Sequence, residues 1–266
     1  MREISITELQ NLKIGQAENA QAGTGCTVFL LGETGAPVGL DVRGGGPASR
    51  ESELLKPTAA AQVIHAILLG GGSAFGLDAA GGVMRYLEEH DIGFDVGVTK
   101  VPLVCQSDLF DLTVGDAHTR PDAAMAYQAC VNAETGNYRD GNYGAGTGAT
   151  VGKLLGMPHC MKSGIGSYAV QVGPLQVGAV FTNSKFDKAH LCKIAAMTHD
   201  GYARAIRPVH TANDGDSIYA VSLGDLAADQ DVVGALAARV MAEAILRAVQ
   251  AADSAYGFPA AKDLKR

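Results

Sequence analysis

The chain has 266 residues, 47% of them hydrophobic and 18% charged, which is enough to bury a substantial core and too apolar for a disordered chain. Its net charge of −7 excludes the basic footprint that nucleic acid requires and offers no basic run to anionic lipid. The five cysteines (Cys26, Cys105, Cys130, Cys160, Cys192) are scattered and odd in number, which argues against a disulfide framework or a cysteine zinc site and predicts free thiols in a reducing cytoplasm.

The first residues, MREISITELQNLKIGQ, lack the apolar core of a signal peptide, and no apolar run reaches membrane-span length. GCTVFLLG (25–32) and PVGLDVRGG (37–45) read as a hairpin pair around Glu33-Thr34-Gly35. VIHAILLGGG (63–72) is a continuous apolar strand, the pattern of a sheet covered on both faces. The stretch 73–90 reads as a helix with Ser73 as a candidate N-cap, and 122–133 as a second helix after Pro121. GATVGKLLG and SYAVQVG read as strands.

VGPLQVGAVFTNSKFDK (172–188) reads as one strand running into a helix over 187–207, whose apolar face carries Leu191, Ile194, Ala195, Tyr202 and Ile206. SIYAVSLG (217–224) is a strand, and a long helix spans 229 to about 256. No linker divides the chain, so it is read as one domain over 1–266. Strands and helices come in runs rather than in strict alternation, which favours an α+β layered sandwich.

GAGTGATVGK (144–153) does not fit a phosphate loop, because Thr147 stands where the first Gly belongs and Leu154 where a Ser or Thr belongs. Its glycines are better explained by close backbone approach. Lys153 ends this run and is either a solvated lysine or a group that reaches a substrate carbonyl or supports a base. GGGSAFGLD (70–78) lacks the spacing of a hydrolase elbow. The seven histidines show no ligand spacing, so no metal is expected. RAIRPVHTANDGDS carries Arg204, Arg207, His210, Asp214 and Asp216 within thirteen positions. Asp214-Gly215-Asp216 is good turn chemistry before a strand, and equally a carboxylate pair that could orient a nucleophile or hold an amine.

TGCTVFLLGETGAPVGLDVRGGGPASRESELLKP, HAILLGGGSAFGLDAAGGVMRYLEE, VGDAHTRPDAAMAYQAC, GAGTGATVGKLLGMPHCMKSGIGSYAVQVG and HDGYARAIRPVHTANDGDSIYAVSLG each resemble the DmpA/BapA/NylC family of aminopeptidases and amide hydrolases, in colinear order over nearly the whole chain. The resemblance implies a four-layer αββα sandwich shared with ornithine acetyltransferase. It implies a precursor that cuts itself before a Ser or Thr, which becomes the N-terminal nucleophile. It implies no metal or organic cofactor, substrates among short peptides, amino acid amides and oligoamides, and assembly into homo-oligomers.

By position, Lys153 matches the family's active-site lysine, and Asp214 and Asp216 match the carboxylate pair that supports the nucleophile. Phe110 falls where some members place an active-site tyrosine and, without a hydroxyl, can only pack. The stretch 172–188 departs from the pattern. Linker, cleavage site and nucleophile are missing, an apparent internal deletion near 174–182. Aligned on the family's second strand, the nucleophile's place falls at Leu175, preceded by Pro174. Asn183 matches either the oxyanion-side asparagine of the first strand or a packing asparagine of the second. The nearest hydroxyls are Thr182, Ser184 and Ser167. Two functions follow from this: an active amidohydrolase with a substitute nucleophile, or an inactive relative that binds a small amine or peptide.

Overall fold

The computed structural model describes residues 1–264. One sheet runs in the order β2 (Lys13–Asn19), β3 (Thr24–Leu30), β6 (Ala66–Gly70), β9 (Val104–Asp108), β5 (Ala48–Arg50). The other runs β1 (Arg2–Ile4), β12 (Ala169–Val172), β13 (Leu175–Gly178), β14 (Phe181–Ser184), β15 (Ser217–Leu226), β4 (Val38–Val42). Two short ribbons lie outside them, β7 (Phe94–Asp95) with β8 (Lys100–Val101) and β10 (Thr150–Val151) with β11 (Met161–Lys162).

Helices α1 (Ala80–Glu89) and α2 (Ala123–Thr135) cover the first sheet, and α3 (Lys188–Ala205) and α4 (Gln230–Ala251) cover the second. The result is the αββα sandwich. Period-two alternation divides the core among its layers. In β15, Tyr219, Val221 and Leu223 face the other sheet, while Ile218 and Ala220 face the helices. In β3 all seven residues are buried, with Phe29 turned to the sheet interface and Cys26, Val28 and Leu30 to α1 and α2. Phe29 and Phe181 stack across the interface at 5.2 Å between ring centroids. Tyr219 Oη and Ser107 Oγ also join the sheets there, at 2.6 Å. Helix α3 lies flush on β4: a Cβ on Gly39 would stand 2.2 Å from the Cys192 amide nitrogen.

Three local expectations are corrected. The segments around Glu33-Thr34-Gly35 do not form a hairpin. β3 and β4 belong to different sheets, because left-handed turns at Gly32 and Gly35 carry the chain from one to the other. Ser73 does not cap a helix. It is itself left-handed, at φ 53°, and lacks the extended backbone an N-cap requires, so a 3-10 segment (Ser73–Ala79) precedes α1. The stretch 172–188 is not one strand. It contains the end of β12 and the whole of β13 and β14, folded back at Gly173–Pro174 and again at Ala179–Val180. The last turn is possible because Ala179 takes φ 50°.

Candidate active site

The site lies at the end of the sandwich where β15 begins. Just ahead of that strand, the amides of Arg43 and Gly46 donate to the carbonyls of Asp216 and Asp214 at 2.9 and 2.8 Å, which pins the acidic segment to the loop after β4. The two backbones touch: a Cβ on Gly44 would stand 2.3 Å from Asp214 O and 2.4 Å from Asp216 N. The hydrogen-bonded turn spans Thr211–Asp214, closed by the Asp214 N–H donating to Thr211 O at 3.2 Å, so Asp214-Gly215-Asp216 is not itself the turn but leads from it into β15, with Asp214 Oδ1 accepting from the Gly215 N–H at 3.1 Å.

The side chain of Asp216 is only 10% exposed. Its Oδ2 accepts two bonds from one residue, the His210 backbone N–H at 2.9 Å and His210 Nδ1 at 2.7 Å. The His210 ring stacks with Tyr202 and meets His199 edge to face at 4.8 Å. His199 is buried, with Nε2 3.1 Å from Asp41 Oδ1; burial, the largest influence, holds its pKa below the usual imidazole range.

Lys153 follows the left-handed Gly152, and its Nζ donates to Thr150 O at 3.0 Å. The residue as a whole is exposed, but its ammonium lies in a recess dense enough in protein atoms to lower its pKa. The negative charge of Asp214 opposes that shift most, followed by Cys160 and Asp111. Lys153 thus stands within electrostatic range of a carboxylate from each side of the site. Asp111 is buried, accepting from Thr24 Oγ1 at 2.7 Å and from Gly72 N at 2.6 Å. Burial raises its pKa and those bonds oppose the rise. Asp108, three residues earlier, is pushed up to about 7 by burial, against the donations of Gln106 Nε2 at 2.9 and 3.0 Å.

Beneath this surface, the glycine-rich segment Gly144–Thr150 is wholly buried. The Ala145 N–H donates to Thr27 Oγ1 and Gly144 N–H to Glu18 Oε2, so its amides face protein rather than a phosphate. Lys162 underpins the segment: fully buried, it donates from Nζ to the carbonyls of Gly146, Ala149 and Ser163.

Asp214 and Asp216 therefore share one segment, Lys153 lies within electrostatic range of Asp214, and Asn183 lies elsewhere. β14 runs parallel to β15, with Phe181 beside Val221 and Ser184 beside Leu226. At 3.3 Å per residue, Asn183, which lies beside Gly224, is about 26 Å along the sheet from Asp216. Both ends of its amide are used in the β13–β14 hairpin, accepting from Gln176 N and donating to Pro174 O. Leu175 lies at that same far end, paired with Val172. A straight continuation of β14 upstream of Phe181 would run beside Ala220 and Ser217 toward Asp216. The turn at Ala179–Val180 takes the chain away from that lane.

The nearby hydroxyls are enclosed as well. Thr182 and Ser184 are buried and bonded to each other at 3.1 Å, and Ser167 donates to Asp140 at 3.0 Å. Phe110 is exposed at the rim. Among the described residues no group of three or more His, Cys, Asp or Glu side chains is gathered to hold a metal ion, and no helix is long and apolar enough to cross a membrane.

Sequence reasoning missed Asp111, Asp108 and Lys162 as neighbours of the site. An isolated carboxylate or lysine in an apolar context carries no spacing signal. His210 was visible as part of a dense polar segment, but its bond to Asp216 depends on a fold of the loop that spacing does not reveal.

The model of Peptidase family S58 matches residues 5–182 and 176–262, two segments that share 176–182. An uncharacterized aminopeptidase of Mycobacterium leprae (strain TN) is 33% identical over 334 residues, covering 96% of this chain and 92% of the relative. Because this chain has only 266 residues, that alignment includes at least 68 positions (334 less 266) with no counterpart here. A 6-aminohexanoate-oligomer endohydrolase of Kocuria sp. (strain KY2) is 24% identical, covering 94% of this chain and 87% of the relative. Among solved structures, the L-aminopeptidase D-Ala-esterase/amidase of Ochrobactrum anthropi, described as a variant of the Ntn hydrolase fold, superposes with a TM-score of 0.78 at 17% identity, covering 96% of this chain and 88% of that one. A Burkholderia sp. beta-aminopeptidase superposes at 0.74 with 18% identity, covering 94% and 87%. With both sheets, both helix layers and nearly all of its length accounted for in this way, the chain belongs to Peptidase family S58.

Proposed function

We propose that the chain derives from the self-processing amide hydrolases, and that its lysine-and-carboxylate cluster takes short peptides or amino acid amides. The observation that carries this reading is the buried Asp216 carboxylate with one oxygen fixed by His210, in the same segment as Asp214, whose charge reaches Lys153. A cation and acceptors so arranged can bind the amine and the carbonyl of one small amide, and can manage protons at an attacking group. The reading includes a missing nucleophile segment near 174–182. The two family matches that share 176–182, and the unmatched positions in the relative, support that loss. Five free cysteines support a cytoplasmic setting, and the family resemblance a homo-oligomer.

The second reading is binding without turnover. The burial of Thr182 and Ser184 and the bond that occupies Ser167 favour it. Intact mass and N-terminal sequencing of the purified protein, with aminoacyl p-nitroanilides as substrates, separate the two. Fragments from a cut before a Ser or Thr, with p-nitroaniline released, establish hydrolysis. A single intact chain that binds L-alaninamide by calorimetry and releases nothing establishes the binder. A chain that does neither overturns the assignment of this cluster.

A further inference from the structure

The Asp216 side chain is nine-tenths buried, yet its two oxygens are used very differently. Oδ2 takes both the N–H and Nδ1 of His210, while among the described residues no group donates to Oδ1. Nor is Oδ1 among the fully buried atoms without a partner, so it keeps some accessible surface. A carboxylate in a loop is ordinarily free to rotate about its terminal bond. Two donors converging on one oxygen remove that freedom and present the other oxygen in a single direction.

The residue that does this is itself held in place. His210 has φ 57°, which points its N–H and its ring toward the same acceptor. Its imidazole is wedged between Tyr202, stacked at 6.2 Å, and His199, edge-on at 4.8 Å. Tyr202 and His199 both project from α3, and His199 is tied to Asp41 on β4. The support therefore runs from two regular elements through two rings to one carboxylate.

We propose that His210 is a positioning residue, which locks Oδ2 of Asp216 so that Oδ1 is aimed at the amine or amide N–H of a bound peptide or amino acid amide. The proposal rests on the peptide-or-amide reading of the cluster for its ligand, and on the local geometry for the lock.

The test uses the full chain and L-alaninamide as the probe. His210→Asn keeps a donor near the position of Nδ1 and tolerates the left-handed backbone. His210→Gln keeps bulk and polarity but carries its donor further out, and His210→Ala removes it. Expected is a dissociation constant within about twofold of wild type for H210N, and raised about tenfold for H210Q and H210A, as for loss of a charge-assisted bond. Thermal midpoints of H210N and H210Q are expected to agree, and H210A combined with Asp216→Asn to be no weaker than D216N alone. If H210A fails to fold, the H210N and H210Q pair carries the comparison.

The proposal is overturned if D216N weakens binding while H210Q binds like wild type, or if H210N is as weak as H210Q. If wild type does not bind the probe, the peptide-or-amide reading falls. The lock is then decided by crystal structures of H210N and H210Q. Asp216 turned away in H210Q alone supports it, and an unchanged carboxylate in both overturns it.

Discussion

Asn183 clasps Pro174 across the β13–β14 hairpin: Nδ2 donates to Pro174 O at 2.8 Å, while Oδ1 accepts from the amide of Gln176, the second residue beyond that proline, at 2.9 Å. One side chain thereby satisfies a donor and an acceptor where β13 begins. Replacing Asn183 with Ala is expected to cost about 1–2 kcal/mol of stability in urea unfolding, because both partners lose their bond. L-alaninamide affinity is expected to be unchanged. A loss of affinity without a loss of stability would return Asn183 to the binding site.

Asp108 gives the fold a pH dependence of definite sign. Its folded-state pKa is raised from 3.8 to about 7 by burial. The folded protein therefore binds a proton more tightly than the unfolded chain does. This group's contribution is fully present below pH 3.8 and declines as pH rises through about 7. Asp108→Asn should then be more stable than wild type at pH 8.5, with the advantage shrinking by pH 5. Urea midpoints measured across that range decide it. An advantage that is flat with pH would show that the carboxylate is hydrated in solution.

Lys162 holds the glycine-rich segment from below through three carbonyls. Substitution by Met fills similar volume but leaves Gly146 O, Ala149 O and Ser163 O without this donor. A loss of about 3 kcal/mol is expected. Because Gly146 O and Ala149 O belong to this segment, and Lys153 Nζ bonds the next carbonyl, Thr150 O, hydrogen exchange of the 144–153 amides should rise with the loss. A protein as stable as wild type, with unchanged exchange, would mean that water replaces the ammonium.

Thr182 distinguishes structural from chemical use of a hydroxyl. Its Oγ1 donates to Gln176 O at 3.0 Å within the sheet. Thr182→Val is expected to lower stability by about 1 kcal/mol and to leave L-alaninamide binding intact. If the protein does release p-nitroaniline, T182V should release it at the same rate. Abolished release would identify Thr182 as the nucleophile and would require the β13–β14 hairpin to open.

Much of the architecture was legible in the chain because its causes are local. The continuous apolar run at 63–72 marks a strand covered on both faces, and the strand it forms, Ala66–Gly70, is covered by the second sheet and by α1 and α2. Asp122, Asp187 and Asp229 cap the three longest helices where Asp and a periodic apolar face coincide. The hairpin expected over 25–45 failed for a reason that no local pattern carries. Two β segments joined by glycines can pair with each other or part to different sheets, and only the competition of long-range partners decides. The same holds for 172–188, where the folding back at Ala179 depends on a left-handed alanine that nothing in its composition announces.

The sequence by itself determined which chemistry was available: a lysine after a glycine run, two aspartates flanking a glycine, and a stretch at 172–188 without a candidate nucleophile next to a cleavage motif. Side-chain type and short-range turn chemistry suffice for that. Only the tertiary structure decided which of these groups meet. Lys153 and Asp214, sixty-one positions apart, come within electrostatic range because the loop after β10 and the turn before β15 reach the same end of the sandwich. Asn183, much nearer to Asp214 in sequence, is carried to the opposite end by the direction of β14. Proximity in a layered fold is set by strand direction and register, and those are settled by burial of whole faces rather than by any single residue.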